Sequence, residues 1–541
     1  MKPRYNNDVR SVSIALRTLK MKRMKRLIFL LFIGFVLYSC SGRSGQLLGV
    51  QGRQIYFPEI PIGMIYVPGG SFNMGQNDSD VPFVHQTRNR AVSVQAFYMD
   101  QTEISNNEYR QFVYWVRDSI AKELIYAFDD YENLDETDIE KFINYDEKYF
   151  DEDALEWVEY DPAERETNRQ YFNLNWDRGV DYANEDFTPV LNVLYLKKNE
   201  RFFKRKEFDT RKFIYRYQWI NIREAAQKGR FDVIPDGYDQ DGEKSEDHRE
   251  LLGPPHPFQQ DRLVGQDADF GFFNKLGHNN ALRGHNDRGQ FIIDEEIRVY
   301  PDTLCWIRDF TYSFNDPMTN MYFWHPAYDN YPVVGVTWQQ ARAFSVWRTQ
   351  LLNNWLVENG ELYVNDFRLP TEAEWERASR GDLDQSQYPW GGPYIRNDSG
   401  CFLGNFKPMR GRYFDDGGFH TVKVYSYNPN GWGLFCMAGN VAEWCETAYD
   451  ESMYEFSHDV NTDYRYDALD WDPPAMKRKV IRGGAWKDIG YYLQNGTRTY
   501  EFQDTAKSYI GFRNVATHLG RGGRDFSREG GEELKSDIQL R

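Results

Sequence analysis

The chain has 541 residues, 41% of them hydrophobic and 16% aromatic, enough for one large elaborated domain or two. Its formal net charge is −17, and residues 1–39 hold nine Lys/Arg against one Asp, so the remainder carries about −25. So acidic a surface argues against nucleic acid as a partner and against broad adsorption to anionic lipid.

From Met24 a basic stretch leads into an apolar run over residues 27–37, too short to cross a bilayer as a stable helix. The run ends Leu37-Tyr38-Ser39-Cys40, which resembles the lipobox of bacterial lipoproteins, where cleavage precedes a cysteine that is then lipidated. Residues 1–39 are therefore predicted to be a signal peptide, with the true start at Met21 or Met24. Residues 40–58 are predicted to be a lipidated Cys40 and a Gly/Ser-rich tether. An ordinary secretory signal with a chance cysteine is the alternative. Ser41 after the cysteine is compatible with the periplasmic face of an outer membrane. Secretion opens the way to disulfides among Cys305, Cys401, Cys436 and Cys445, but spacing cannot pair them, and no CxxC pair suggests zinc or dithiol chemistry.

Short apolar runs around Pro68-Gly-Gly in residues 63–75 predict a β-hairpin, and polar/apolar alternation over residues 90–100 predicts a strand. Ser105 and Glu108 form a capping box for a helix through about Val116, with Tyr109, Phe112 and Val116 on one face. Residues 129–164 hold sixteen Asp/Glu in 36, interleaved with aromatics that argue for partial order rather than a wholly solvated run. Residues 211–226 predict a strand and then a helix. The Asp239-Gln-Asp-Gly run fails as an EF-hand loop, since Gly237 and His248 stand at its first and twelfth positions. Tyr331-Pro-Val-Val-Gly-Val-Thr-Trp predicts a strand, and Thr337 caps a helix over residues 338–350. Thr371 and Glu374 make a second capping box. In residues 428–449, Gly431, Gly433 and Gly439 predict a tight turn, and Asn440 and Glu443 offer oxygens that suit a hard cation such as Ca²⁺. Residues 518–541 read as a disordered tail.

Eight motifs occur in the order found in the sulfatase-modifying-factor family, which contains the formylglycine-generating enzymes. They are Val67-Pro-Gly-Gly, Asp100-Gln-Thr-Glu-Ile-Ser-Asn, Pro332-Val-Val-Gly-Val-Thr-Trp, Arg368-Leu-Pro-Thr-Glu-Ala-Glu-Trp-Glu, Tyr388-Pro-Trp-Gly, Gly439-Asn-Val-Ala-Glu-Trp, Arg482-Gly-Gly-Ala-Trp and Gly511-Phe-Arg. The resemblance implies a loop-rich α+β domain, similar to a C-type lectin, over residues 59–517, interrupted by a large insertion at 117–320. The lipobox and the long acidic insertion, ending near Phe323-Trp-His-Pro-Ala-Tyr, resemble more narrowly the PorK/GldK-type lipoproteins of type IX secretion and gliding. That group implies a ring under the outer membrane, built with a PorN/GldN-like periplasmic protein.

Active members of the family place two copper-binding cysteines just after the Arg-Gly-Gly-Ser-Trp-type motif. Here Asp488 and Leu493 align with those positions, and no cysteine follows Cys445. A carboxylate and an alkyl chain cannot supply thiolates to Cu(I), so no copper chemistry is expected. The nine histidines show no HxxxH or HExxH spacing. The resemblance implies structural calcium, with Asn405, Asp416, Asn440 and Glu443 as ligands and backbone carbonyls and water completing the shell. The expected function is a non-catalytic scaffold. A periplasmic oxidase with a rearranged centre and a calcium-dependent binding module are the alternatives.

Overall fold

In the computed structural model, the described residues from Ile60 to Leu519 belong to one compact unit. The structure describes residues 60–76, 89–127, 143–145, 148–151, 156–159, 172–185, 187–220, 292–312, 316–409, 412, 414, 417–468 and 472–519. The signal peptide, Cys40 and tether expectations lie outside these residues. So do the rejected EF-hand loop, Asp416, and the tail beyond residue 519.

The N-terminal ribbon departs from the predicted hairpin. β1 (Met64–Val67) and β2 (Gly70–Met74) do not pair with each other. β2 pairs with β3 (Arg90–Val94), and β1 pairs with β4 (Phe97–Asp100), both antiparallel. The expected single strand over 90–100 is thus two strands. Both arms of the ribbon bend together, at Pro68-Gly69 on one side and Gln95-Ala96 on the other. A Cβ at Gly69 would lie 2.7 Å from the Ala96 nitrogen, so only glycine lets the arms approach there. All four residues of β4 are buried, because it lies inside the sheet.

The predicted caps form. Ser105 and Glu108 exchange bonds at the start of α1 (Asn106–Ala127), which runs eleven residues past Val116, and Tyr109, Phe112 and Val116 are buried as expected. Within the acidic stretch 148–151 pairs with 156–159, and 143–145 pairs with 172–174 beyond it, both antiparallel and consistent with partial order. β5 (Ile214–Ile220) and β6 (Ile292–Arg298) form a seven-residue antiparallel pair. A short helix α2 (Cys305–Asp309) follows.

Residues 331–337, ahead of the helix that starts at Trp338, are not a strand. Pro332 lacks an N–H, and Gly335 at φ +75° turns the chain, so the backbone bonds go to separate partners: Val333 to Ile104 and Gly335 to Lys507. Thr337 and Gln340 then close a capping box on α3 (Trp338–Glu358), eight residues longer than predicted. β7 (Phe367–Arg368) leads to α4 (Glu372–Arg380), whose Thr371–Glu374 box forms as read.

Two four-stranded sheets complete the frame. β8 (Ala442–Ala448), β9 (Arg478–Arg482), β10 (Thr499–Phe502) and β11 (Ile510–Gly511) stack in the order β10-β9-β8-β11, with only β8–β11 parallel. The other sheet runs β1-β4-β12-β7, where β12 is Val515–Thr517. Every residue of β8 is buried. The main core joins Tyr109, Phe112, Phe344 and Trp347 to Trp444 and Phe512, so the first helix and the last motif share one interior. His518 is still buried, so the ordered body reaches one residue into the expected tail. Among the described residues no helix is long and apolar enough to cross a membrane.

Candidate functional site

The charged residues of the motifs lie mostly inside the protein, and their partners explain them. Arg482 is fully buried at the end of β9. Its guanidinium meets Glu376 at 2.7 Å and Glu372 at 2.8 Å, and donates to the carbonyls of Asn495 and Thr497 at 2.9 Å each. Arg498 also holds Glu372, at 2.5 Å, and Arg380 holds Glu376 at 2.7 Å. Burial works against the Glu372 charge, but Arg498 and Arg482 outweigh it and keep its carboxyl below the usual range. The helix motif and the Arg-Gly-Gly motif are thus two halves of one interior ion network.

A second network joins the Gly-Asn-Val-Ala-Glu-Trp and Gly-Phe-Arg motifs. Arg513 grips Glu443 in a fork, at 2.7 and 2.6 Å, and the Trp375 indole donates to the same carboxylate at 2.7 Å. Glu103 lies buried nearby, receiving the Asn440 amide at 2.6 Å and the Val441 N–H at 3.2 Å. Desolvation first, and then the Glu443 charge, push the Glu103 carboxyl well above the usual range. Sequence reasoning missed Glu103 and Arg513 as partners. The signal available was their place in two of the eight motifs.

This geometry bears on the calcium expectation. Asn440 and Glu443 do not turn toward one point. The Asn440 side-chain oxygen accepts from the Val422 N–H at 2.9 Å, while both Glu443 oxygens face Arg513. The physical reason is that Glu443 lies in β8, not in the turn before it, and a guanidinium already neutralises it. Asn405 donates to the His420 carbonyl at 2.6 Å and keeps its oxygen beside Gly418, and Asp416 lies outside the described residues. As oriented, Asn440 and Glu443 do not fit one cation shell. Among the described residues, no group of three His, Cys, Asp or Glu could hold a metal.

The loop after Trp486 is where the family's chemistry would sit. Gly483 and Gly484 take φ of +91° and +68°, and the loop closes against the other glycine turn through Gly439 N–H to Gly483 O and Trp486 N–H to Asn440 O, both 2.9 Å. Asp488 is tied into this turn: one oxygen accepts from the Ala485 N–H at 3.0 Å and the other meets Lys487 at 2.8 Å. Leu493 is 1% exposed and packs with Tyr388, Phe402, Phe406 and Ala438. Trp486 is covered by α2 and its sequel, with the Trp306 ring stacked at 5.9 Å and the Phe310 ring at 5.0 Å. Asp309 fixes that helix by accepting from Ser508 N–H at 2.9 Å and its hydroxyl at 2.7 Å.

All four described cysteines are free, so the open question of disulfides resolves to none among them. Burial pushes the Cys305, Cys436 and Cys445 thiols up, away from the reactive thiolate, and Cys401 is exposed.

The Gly484 turn gives a direct test of how tightly this loop is specified. A Cβ there would lie 2.8 Å from the Tyr492 carbonyl oxygen, at a left-handed φ. Gly484→Ala is expected to lower stability by about 1–3 kcal/mol, read from urea unfolding. An unchanged midpoint would show that the loop adapts.

A family model described as sulfatase-modifying factor enzyme 1-like domain matches residues 58–196 and 311–518. The chain is 33% identical over 196 residues to a formylglycine-generating enzyme of Thermomonospora curvata, covering 35% of this chain and 57% of that one. It is 33% identical over 198 residues to the inactive C-alpha-formylglycine-generating enzyme 2 of Bos taurus, covering 35% and 52%. The chain thus spans about half the length of these curated relatives. Among solved structures, PvdO from Pseudomonas aeruginosa aligns over 84% of this chain and 94% of that one, at 13% identity and a TM-score of 0.36. With well over half of its residues inside the family match, and with the motifs meeting in shared interior networks, the chain belongs to the sulfatase-modifying factor enzyme 1-like domain family.

Proposed function

We propose that this protein is a non-catalytic member of its family, a lipid-anchored structural component of a periplasmic assembly of the PorK/GldK kind, serving type IX secretion. One observation carries the non-catalytic part. The two positions where the family's chemistry needs thiolates are filled by a turn-forming carboxylate, Asp488, and a core leucine, Leu493. Neither can ligate Cu(I) as a thiolate does. The cover of Trp486 by α2 supports the same reading, because the chain's own helix is packed against that loop. The family also includes a relative named as inactive. The anchored part rests on Cys40 in its lipobox-like setting, and the ring partner, a PorN/GldN-like periplasmic protein, rests on the narrower resemblance. No step of this reading runs through calcium or copper.

The test is co-purification and crosslinking from native membranes. A large assembly holding many copies of this chain and a second periplasmic protein supports the proposal. Stoichiometric copper or iron with thiol-dependent oxygen consumption overturns it. Cys40→Ala is expected to abolish acyl labelling and membrane fractionation; unchanged labelling would sink the anchor.

A further inference from the structure

The family match breaks off after residue 196 and resumes at 311, and the ten residues after the break are strongly basic. Residues 197–206 hold six Lys/Arg and one acid, in a protein of net charge −17. They form the tip of a small hairpin. Its base is fixed by the Tyr195–Phe208 bridge, with those rings stacked at 4.5 Å, and by Leu196 N–H to Glu207 O at 2.9 Å. Asp209 N–H to Leu194 O, at 2.8 Å, adds a further rung to that base.

The tip itself presents Phe202 and Phe203, adjacent and 74% and 92% exposed. Phe203 and Lys204 both take left-handed φ, of 51° and 60°. Bulky residues rarely adopt that region, and an outlier held at an exposed tip points to function rather than packing. Around the phenyl rings, Lys197, Lys198, Lys204 and Arg205 are exposed. Arg201 and Lys206 are partly engaged with the base, through the Leu196 carbonyl at 2.7 Å and the Tyr195 ring at 4.1 Å.

We propose that this hairpin is a membrane-docking tip that dips Phe202 and Phe203 into the interfacial zone of an anionic bilayer while its cations contact lipid phosphates. A lipid interface is apolar below and anionic above, which matches both properties of the tip at once. A protein partner would need an apolar socket ringed by acids. The acidity of the rest of the chain does not oppose this, because the interaction is local and falls off within a Debye length of about 10 Å. That acidity instead orients the molecule, since the tip is favoured at the surface and the body is repelled. The proposal rests on the anchored reading above, which supplies the bilayer.

The test uses residues 58–541, which hold the compact unit and lack Cys40; a negative result therefore bears on the tip and leaves acylation to its own assay. Co-sedimentation is measured with phosphatidylethanolamine vesicles containing about one third phosphatidylglycerol, the anionic component that attracts basic segments. The parent is expected to pellet with these and not with phosphatidylcholine alone, and to be released at about 0.5 M salt. Phe202→Ser with Phe203→Ser should reduce the partition at least about tenfold, and Lys204→Glu with Arg205→Glu should do the same. Tyr394→Ser, at an aromatic 76% exposed elsewhere, should not. Matching thermal melts show that all variants are folded. A parent that does not pellet, or tip variants that pellet like it, overturns the proposal. So does a loss of self-association in lipid-free buffer on changing the two phenylalanines, which would make the tip a protein interface.

Discussion

Arg482→Met should cost about 3–5 kcal/mol of stability, a large part of the roughly 5–15 kcal/mol a folded domain usually has. The arginine is fully buried between Glu372 and Glu376, and it also satisfies the carbonyls of Asn495 and Thr497. Methionine fills similar space but leaves two carboxylates sharing Arg380 and Arg498, and two carbonyls without a donor. The removal of one partner from a buried pair is costly because the remaining charge cannot return to water. Arg308 gives the contrast. It pairs with Asp302 on the surface, its side chain 53% exposed, so Arg308→Met should change stability by less than about 1 kcal/mol. Urea unfolding of both variants measures the difference. A small effect at Arg482 would mean that Arg380 and Arg498 neutralise both carboxylates without it.

The parts of the fold that were legible in the sequence are the local ones. The Ser105, Thr337 and Thr371 caps formed as read, because a capping box needs only residues three apart. The buried face of Tyr109, Phe112 and Val116 followed from helical spacing in the same way. The hairpin at residues 63–75 failed because strand pairing is non-local. Apolar runs around Pro-Gly-Gly fit a hairpin, but the partners lie 16 to 36 residues on, in β3 and β4. The stretch at 331–338 failed for a related reason, since its apolar pattern describes burial and not whether one strand supplies all its bonds.

The candidate site divides along the same line. Aligned motifs located Asp488 and Leu493, and their chemistry was readable from residue type alone. What they touch was not. Glu443 looked like a cation ligand while its neighbours were read along the chain, yet Arg513, seventy residues later, holds it. Nor did any local signal show that α2, at the end of the insertion, stacks Trp306 on Trp486. That contact links the end of the insertion to the loop where the family's thiolates would stand.

The network around Arg513 yields the second large effect, with a pH signature. Arg513→Met should cost about 3–5 kcal/mol near neutral pH, because Glu443 and Glu103 then share a buried space with no cation. The penalty should shrink as pH falls. Glu103 already has a folded pKa well above its unfolded value near 4.5, so its favourable protonated state is fully available below that value and is lost as pH rises through the folded one. Without Arg513, which lowers that pKa, the window widens upward. The stability gap between parent and variant should therefore be smaller at about pH 5 than at about pH 7.5. Adding Glu103→Gln to the variant removes one of the two charges and should flatten this dependence. Urea midpoints at the two pH values decide it: a gap that stays constant or grows on acidification would show that the two carboxylates are not the source of the penalty.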